Sequence, residues 1–389
     1  MGARAMQIPA ADATPGPPEY AMMPPLSPPS VISNHLDVIE TSVLIIGGGP
    51  HALAVLSALN ERSLAFPSFT SDATFSNRVG FGSLERVGSA CVLDPGRAFL
   101  EDWRARFDAL EITHLRSPAF AHPQAYEPQA LVSFAVSRGR ISELLDIPVV
   151  TSRLATEGND AQEPTMYGLP TTALFNDFCA SLEAKLPHRW VRGRAAQLFK
   201  DRSADKFRVR YTDGDNEGWV VADAVVLATG PAGQRNVPGP FRPLMQHHQA
   251  GPAAGSCVMH TEDFLRSGKT VASMVSKVAG CGKTAGGVQL LVIGGGLTAA
   301  QAALAAVAAG CKRVVLRSRR PLTTRAYDLS SGWLDQRHAT RLRSEFFATP
   351  VEERLKMVRS EVHGGSVPEP YMKRLRHVVR TSGRLELQV

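Results

Sequence analysis

The chain has 389 residues, 44% hydrophobic and 20% charged, enough apolar material for two or three domains and too much for a wholly disordered protein. Lys and Arg number 43 against 36 Asp and Glu, a net charge of +7 that favours anionic partners, phosphorylated cofactors among them. No uninterrupted apolar run reaches 18 residues, which argues against a membrane span, and the five cysteines form no C-x-x-C pair, which argues against a structural metal site and fits a reducing, cytoplasmic compartment.

Eight of the 27 prolines fall within the first 30 residues, so residues 1–40 read as a disordered tail. Ser42–Ile46 is a short β-rich apolar run of the kind buried on both faces of a parallel sheet. A glycine cluster and a helix over His51–Arg62 follow, then an insertion over Ser63–Ser89 and a second strand at Ala90–Asp94. Phe99–Phe107 reads as helix, Ala119–Pro128 as proline-punctuated loop, and Thr172–Leu186 as an amphipathic helix with Leu174, Phe178, Leu182 and Leu186 four residues apart. Three strand-like runs, Ala195–Phe199, Phe207–Tyr211 and Trp219–Ala228, form a small meander. Val271–Gly287 shows no period and reads as a linker or loop. Gln289–Ile293, a triple glycine, a helix over Leu297–Ala309 and the strand Arg313–Leu316 complete a second copy of the order strand, glycines, helix, strand. The C-terminal part is basic and mostly helical, ending in the strand-like Leu385–Val389.

Both glycine turns are G-x-G-x-x-A: Gly47-Gly48-Gly49-Pro50-His51-Ala52 and Gly294-Gly295-Gly296-Leu297-Thr298-Ala299. Each follows an apolar strand and opens a helix. Gly47 and Gly294 permit a tight turn, Gly49 and Gly296 let backbone approach a pyrophosphate, and Ala52 and Ala299 let helix lie close on strand. The free N–H groups at each helix N-terminus suit the phosphates. The alternative of a nucleotide triphosphate loop at Gly280–Thr284 fails, because Lys277 stands where a glycine is needed.

The residue closing the second strand reads the ribose. In the first copy this is Asp94, 47 residues after Gly47 against about 20 in the usual unit, with Glu85 as competitor. A carboxylate there suits the free diol of FAD or NAD. In the second copy the corresponding residue is Arg317, 23 residues after Gly294, and with Arg319 and Arg320 it suits the 2′-phosphate of NADP. Two dinucleotide sites in one chain imply hydride transfer from NADPH to a flavin, so the first site is assigned to FAD. The expected architecture is α/β, with two Rossmann-like dinucleotide-binding domains and a small β-meander: an FAD domain over 41–256 and an NAD(P) domain over 257–389.

Val43–Ala54, the strand ending Ala228-Thr229-Gly230, and Leu291–Ala300 together resemble two-dinucleotide-binding flavoproteins. Ile112–Pro118, His122-Pro123 and Gly168-Leu169-Pro170 bring the resemblance nearest to the lysine/ornithine N-hydroxylase group of flavin-dependent monooxygenases and to the oxidative stress-induced growth inhibitor proteins. The resemblance implies FAD along Gly47, Gly49, Pro50 and Ala52, with Thr229 and Gly230 on the flavin side, and NADPH along Gly294, Gly296, Thr298 and Ala299. It implies reduction of FAD by NADPH, O2 addition to give a flavin hydroperoxide, and oxygen transfer to a small nucleophilic, amine-like substrate. His114 and Arg116 are the candidates to face flavin or substrate, with an ordinary loop pair as the alternative. Such proteins continue with a segment that returns to the FAD domain. Leu385–Val389 resembles the start of its strand, so the expectation is that this returning segment is missing. That leaves a reductase-type or non-catalytic dinucleotide-binding protein as the alternative function. The Arg337–Arg343 run reads as a solvated helix face, and without aromatic interleaving nucleic-acid binding is not expected.

Overall fold

The computed structural model describes residues 38–65, 89–147, 166–230, 235–249, 258–265, 270–280, 287–328, 331–334, 336–361 and 365–389. The proline-rich stretch through residue 37 and insertion residues 66–88, Glu85 among them, lie outside the described residues. In chain order the strands are β1 (Val38–Ile46), β2 (Ala90–Asp94), the short pair β3 (Leu144–Leu145) and β4 (Leu169–Pro170), β5 (Arg189–Arg192), β6 (Arg194–Asp201), β7 (Lys206–Asp213), β8 (Asn216–Leu227), β9 (Gln289–Ile293), β10 (Arg313–Arg317), β11 (Thr323–Thr324), β12 (Ser366–Val367) and β13 (Leu385–Gln388).

A strand flanked by parallel neighbours must bury both faces, and β1 does so. Ile45 enters one apolar cluster, beneath the helices Pro50–Ala65 and Thr172–Glu183. Leu44 and Ile46 enter another on the opposite face. The sheet around β1 has the order β5-β2-β1-β8-β7-β6. β5, β2, β1 and β8 run parallel, and β8, β7 and β6 form the antiparallel meander, turned between β7 and β8 by Gly214 at φ +62°. A second, fully parallel sheet has the order β13-β10-β9. Among the described residues no helix is long and apolar enough to cross a membrane.

Two expectations change. Val271–Gly280 is a helix rather than a linker, while 281–286 lie outside the described residues. Val271, Met274, Val275 and Val278 recur at helical spacing and join the cluster of the Leu297–Ala308 helix, a period masked in the sequence by intervening small residues. Leu385–Gln388 is the third strand of the second sheet, paired with β10 through Val314↔Leu385 to Arg317↔Gln388, and takes no part in the β1 sheet. Its leucines match a parallel strand anywhere, so its partner was undetermined locally. The helix Ala130–Ser137 and strand β5 carry no sequence signal read above, being too short to show a period.

The segment Leu110–Arg116 joins the parts of the molecule that carry the two glycine turns. Leu110 and Ile112 are buried in the cluster of the Leu297–Ala308 and Glu369–Ser382 helices, far along the chain. Gln301, only 2% exposed, donates its amide hydrogens to the carbonyls of Leu110 and Glu111, both at 2.8 Å. The Tyr371 hydroxyl accepts from the N–H of Thr113 at 2.8 Å and of His114 at 2.9 Å. Arg116 donates to the carbonyls of Ser366 and Tyr327 and pairs with Asp328 at 2.5 Å, and the Tyr327 hydroxyl donates to the Tyr167 carbonyl. A buried carbonyl without a partner costs about 1–3 kcal/mol. Gln301→Ala should therefore lower the unfolding free energy by about 2–4 kcal/mol, and Arg374→Ala, which breaks an exposed pair with Glu111, by less than about 1 kcal/mol. Urea midpoints that fall equally for the two variants would contradict this account of the seam.

Candidate functional site

The first glycine turn leaves β1 with Gly47 at φ +119°, a conformation L-residues rarely adopt, and its N–H bonds the Leu93 carbonyl at 2.9 Å. A Cβ on Gly47 would collide with the Ala228 carbonyl, and one on Gly48 would lie 2.9 Å from the Asp94 carboxyl carbon. One on Gly49 would meet nothing within 4 Å, so this turn presents bare backbone to open space. Pro50 opens the helix, where its missing N–H is no loss, and Ala52 is fully buried. Asp94 accepts from Gly48 N–H and Gly96 N–H, both at 2.7 Å, so its carboxylate touches the turn despite the long insertion between them. Burial pushes its pKa above the ordinary range, against the pull of those two donors. Leu100 is held left-handed at φ +62° while its N–H bonds the Gly48 carbonyl at 2.7 Å. Thr229 and Gly230 follow β8, exposed, just beyond the Ala228 that closes on Gly47.

The second turn repeats the first in its strand register and its anchoring hydrogen bond. Gly294 N–H bonds the Arg317 carbonyl at 2.9 Å, as Gly47 bonds Leu93. Ile293 pairs with Arg317 as Ile46 pairs with Leu93. A Cβ on Gly295 would meet Ser318 Cβ at 3.3 Å, as one on Gly48 meets Asp94. The counterpart of Asp94 is thus Ser318, and the assignment of Arg317 is off by one residue. Strand length cannot be counted reliably from sequence, and a one-residue slip moves every side chain to the other face. Arg317, Arg319 and Arg320 are exposed, and among the described residues none is paired with a carboxylate. Among the described residues no side chain caps the Leu297–Ala308 helix, which leaves its first N–H groups for an anion. Ala299 lies against Gly294, whose φ is +156°.

A cavity of about 860 Å³ lies between the turns, lined by Pro50 and His51 on one side and by Gly296, Leu297 and Thr298 on the other. It is in the size range of small-molecule and cofactor sites. His114 and Arg116 line it too, with Trp103, Phe107 and Phe175 as an aromatic wall; Trp103 stacks on Phe107 at 3.9 Å. Arg106 and Glu262 form an ion pair at 2.9 Å in that wall, a contact the sequence reading missed. Burial holds His114 and His122 below the usual histidine range, so both rings stay neutral at pH 7. Arg116 is committed to Ser366, Tyr327 and Asp328, which gives it a positioning role at the cavity edge. The structure brings together Pro50, His114, Arg116, Gly296 and Thr298 around this space. Gly47, Gly49, Ala52, Asp94, Thr229, Gly230, Gly294, Ala299, Arg317, Arg319 and Arg320 are not among the lining residues.

No family model and no curated protein matches the chain. Solved structures do match. The ornithine hydroxylase of Pseudomonas aeruginosa in its reduced form aligns with TM-score 0.55 and 16% identity over 90% of this chain and 72% of its own. The ornithine N-hydroxylase of Kutzneria sp. 744, with reduced FAD, NADP+ and L-ornithine, gives 0.54 and 15% over 90% and 71%. The FAD-bound cadaverine monooxygenase of Erwinia amylovora gives 0.51 and 16% over 90% and 68%. The chain shares the α/β fold of these three enzymes.

Gly47→Ala and Gly49→Ala differ by what their Cβ would meet. The first should destabilise the protein by about 2 kcal/mol or more and the second by less than about 1 kcal/mol, read from urea midpoints. Equal stability of the two variants would contradict this geometry.

Proposed function

We propose that the chain is a flavin-dependent oxidoreductase of monooxygenase type, with FAD at the first turn, NADPH at the second, and O2 and a small nucleophilic substrate meeting them in the cavity. The observation that carries this reading is one cavity bounded by both helix N-termini. The FAD and NADP+ of the structural neighbours support it. On this reading, residues 41–256 form the FAD domain and 257–389 the NADPH domain.

The residues fit the two groups. Gly49 offers nothing but backbone to a pyrophosphate, and Gly296 has only the Gly365 Cα at 4.0 Å in front of it. Each Asp94 oxygen has one N–H donor and retains a lone pair for a ribose hydroxyl. Ser318 puts a neutral hydroxyl where the first turn has a carboxylate, and Arg317, Arg319 and Arg320 supply positive charge for a 2′-phosphate. Thr229 and Gly230 border the flavin side. When bound, the flavin takes electrons from NADPH and passes them to O2, one oxygen atom of which goes to the substrate.

The aromatic wall of Trp103, Phe107 and Phe175 excludes water, and His114 faces the ligands as a neutral ring. Both carboxylates of the wall, Glu262 and Asp328, are paired with arginines, so an amine-like substrate is received as a neutral nucleophile and not by a free counter-charge. One observation favours a second reading, reduction of O2 without oxygen transfer. Leu227 is 69% exposed, and Thr229 and Gly230 beside it are exposed too, so that side of the first turn is open to water.

Protein loaded with FAD should be yellow, bleach with NADPH under argon, and recolour in air. An oxygenated amine as product supports the first reading, and stoichiometric hydrogen peroxide the second. Gly49→Ala should weaken FAD binding at least about 10-fold, by adding a Cβ where the pyrophosphate lies. Arg319→Ala combined with Arg320→Ala should raise the KM for NADPH at least about 10-fold while leaving that for NADH within about 2-fold. A folded sample that takes up neither flavin nor NADPH overturns the proposal.

A further inference from the structure

The hydrogen bonds of Tyr371 lead through Thr113 to His114 at the cavity. Tyr371 is 5% exposed, on the Glu369–Ser382 helix, and its oxygen accepts from two backbone N–H groups, those of Thr113 and His114. A phenol oxygen has two lone pairs, and both are occupied, so its own proton must go to a third atom. Thr113 Oγ1 lies 3.2 Å away. That oxygen is in turn 3.1 Å from His114 Nδ1. With Thr113 Oγ1 receiving the tyrosine proton, the threonine's own proton is within reach of Nδ1, which lies in hydrogen-bond distance of that oxygen.

The surroundings hold this order in place. Thr113 and Leu115 are bound to the segment Pro170–Thr172 through Thr172 N–H to the Thr113 carbonyl at 2.9 Å and Leu115 N–H to the Pro170 carbonyl at 3.0 Å. Glu143 is the carboxylate that acts on His114, and it is bonded by Arg140 and Thr171. Arg116, two residues on, is paired with Asp328. Burial keeps the ring neutral, so only one of its nitrogens carries a proton.

We propose that the Tyr371–Thr113 pair fixes His114 as its Nε2–H tautomer, with that N–H serving as a hydrogen-bond donor to an acceptor oxygen or nitrogen of a ligand in the cavity. His114 then cannot act as a base at Nε2. Tyr371 is a positioning residue, acting through Thr113. The inference rests on the cavity being the ligand site, as in the reading above.

The test is the tautomeric state of His114 in the full chain labelled with 15N in its histidine rings, the signal being assigned by its loss in His114→Gln. In the wild type, Nδ1 should show the shift of an unprotonated acceptor and Nε2 that of a protonated nitrogen. Thr113→Val should bring the two shifts toward each other, and Thr113→Ser should restore them. Thr113→Val removes one acceptor of the Tyr371 proton at an exposed position, and Thr113→Ser keeps that hydroxyl and serves as the folded control, whereas Tyr371→Phe would leave two backbone donors unpaired. A protonated Nδ1 in the wild type, or a Thr113→Val spectrum identical to it, overturns the proposal. The measurement needs neither flavin nor turnover, so its failure is distinct from failure of the redox reading.

Discussion

Everything at the site depends on the segment Leu110–Arg116 having its backbone groups satisfied by side chains from the far end of the chain. Gln301 takes two carbonyls and Tyr371 two amides. Arg116 returns the arrangement by donating to carbonyls of the later segment. A backbone group buried at a junction must be bonded or the junction does not form. These bonds therefore set where the second turn stands relative to the first. Apolar burial of Leu110 and Ile112 adds non-directional adhesion, and the hydrogen bonds give it register.

The two glycine turns show how one backbone device is tuned for different ligands. They share an anchoring hydrogen bond and a strand register, Gly47 with Leu93 and Gly294 with Arg317. The difference is chemical: a carboxylate at Asp94 against a hydroxyl at Ser318 with two arginines following. A carboxylate accepts from a diol and repels a phosphate, whereas a neutral hydroxyl beside guanidinium groups does not repel a phosphate. The backbone thus provides the anion cradle twice, and single side chains separate the two cofactors proposed for it.

The cavity between them is close to electroneutral for its polar content. Its arginines are matched by Glu262 and Asp328, and burial keeps His114 and His122 uncharged. Such a space is suited to groups that react as neutral species, and it leaves hydrogen-bond direction as the means of orienting them. Arg116 illustrates the distinction between lining a site and acting in it. Its guanidinium borders the cavity, while its donors serve the carbonyls that hold the later segment in place.

By itself the sequence determined the parts governed by local periodicity and backbone sterics. These are the apolar strands, the glycine turns with their following helices, the meander, and the pairing of Asp94 with the first turn. It placed Pro50, His114, Arg116, Gly296 and Thr298 in its candidate set, all of which border the cavity. Only the tertiary structure decided matters of register and long-range partnership. Ser318 supplants Arg317 because the end of β10 is fixed by its bonds to Gly294 and not by counting residues. Leu385–Gln388 joins β10 because the Leu297–Ala308 and Glu369–Ser382 helices cover that sheet, which its own four residues cannot encode. Tyr371 meets Thr113 across 258 residues, and no local pattern marks a tyrosine whose partners are backbone amides of a distant loop.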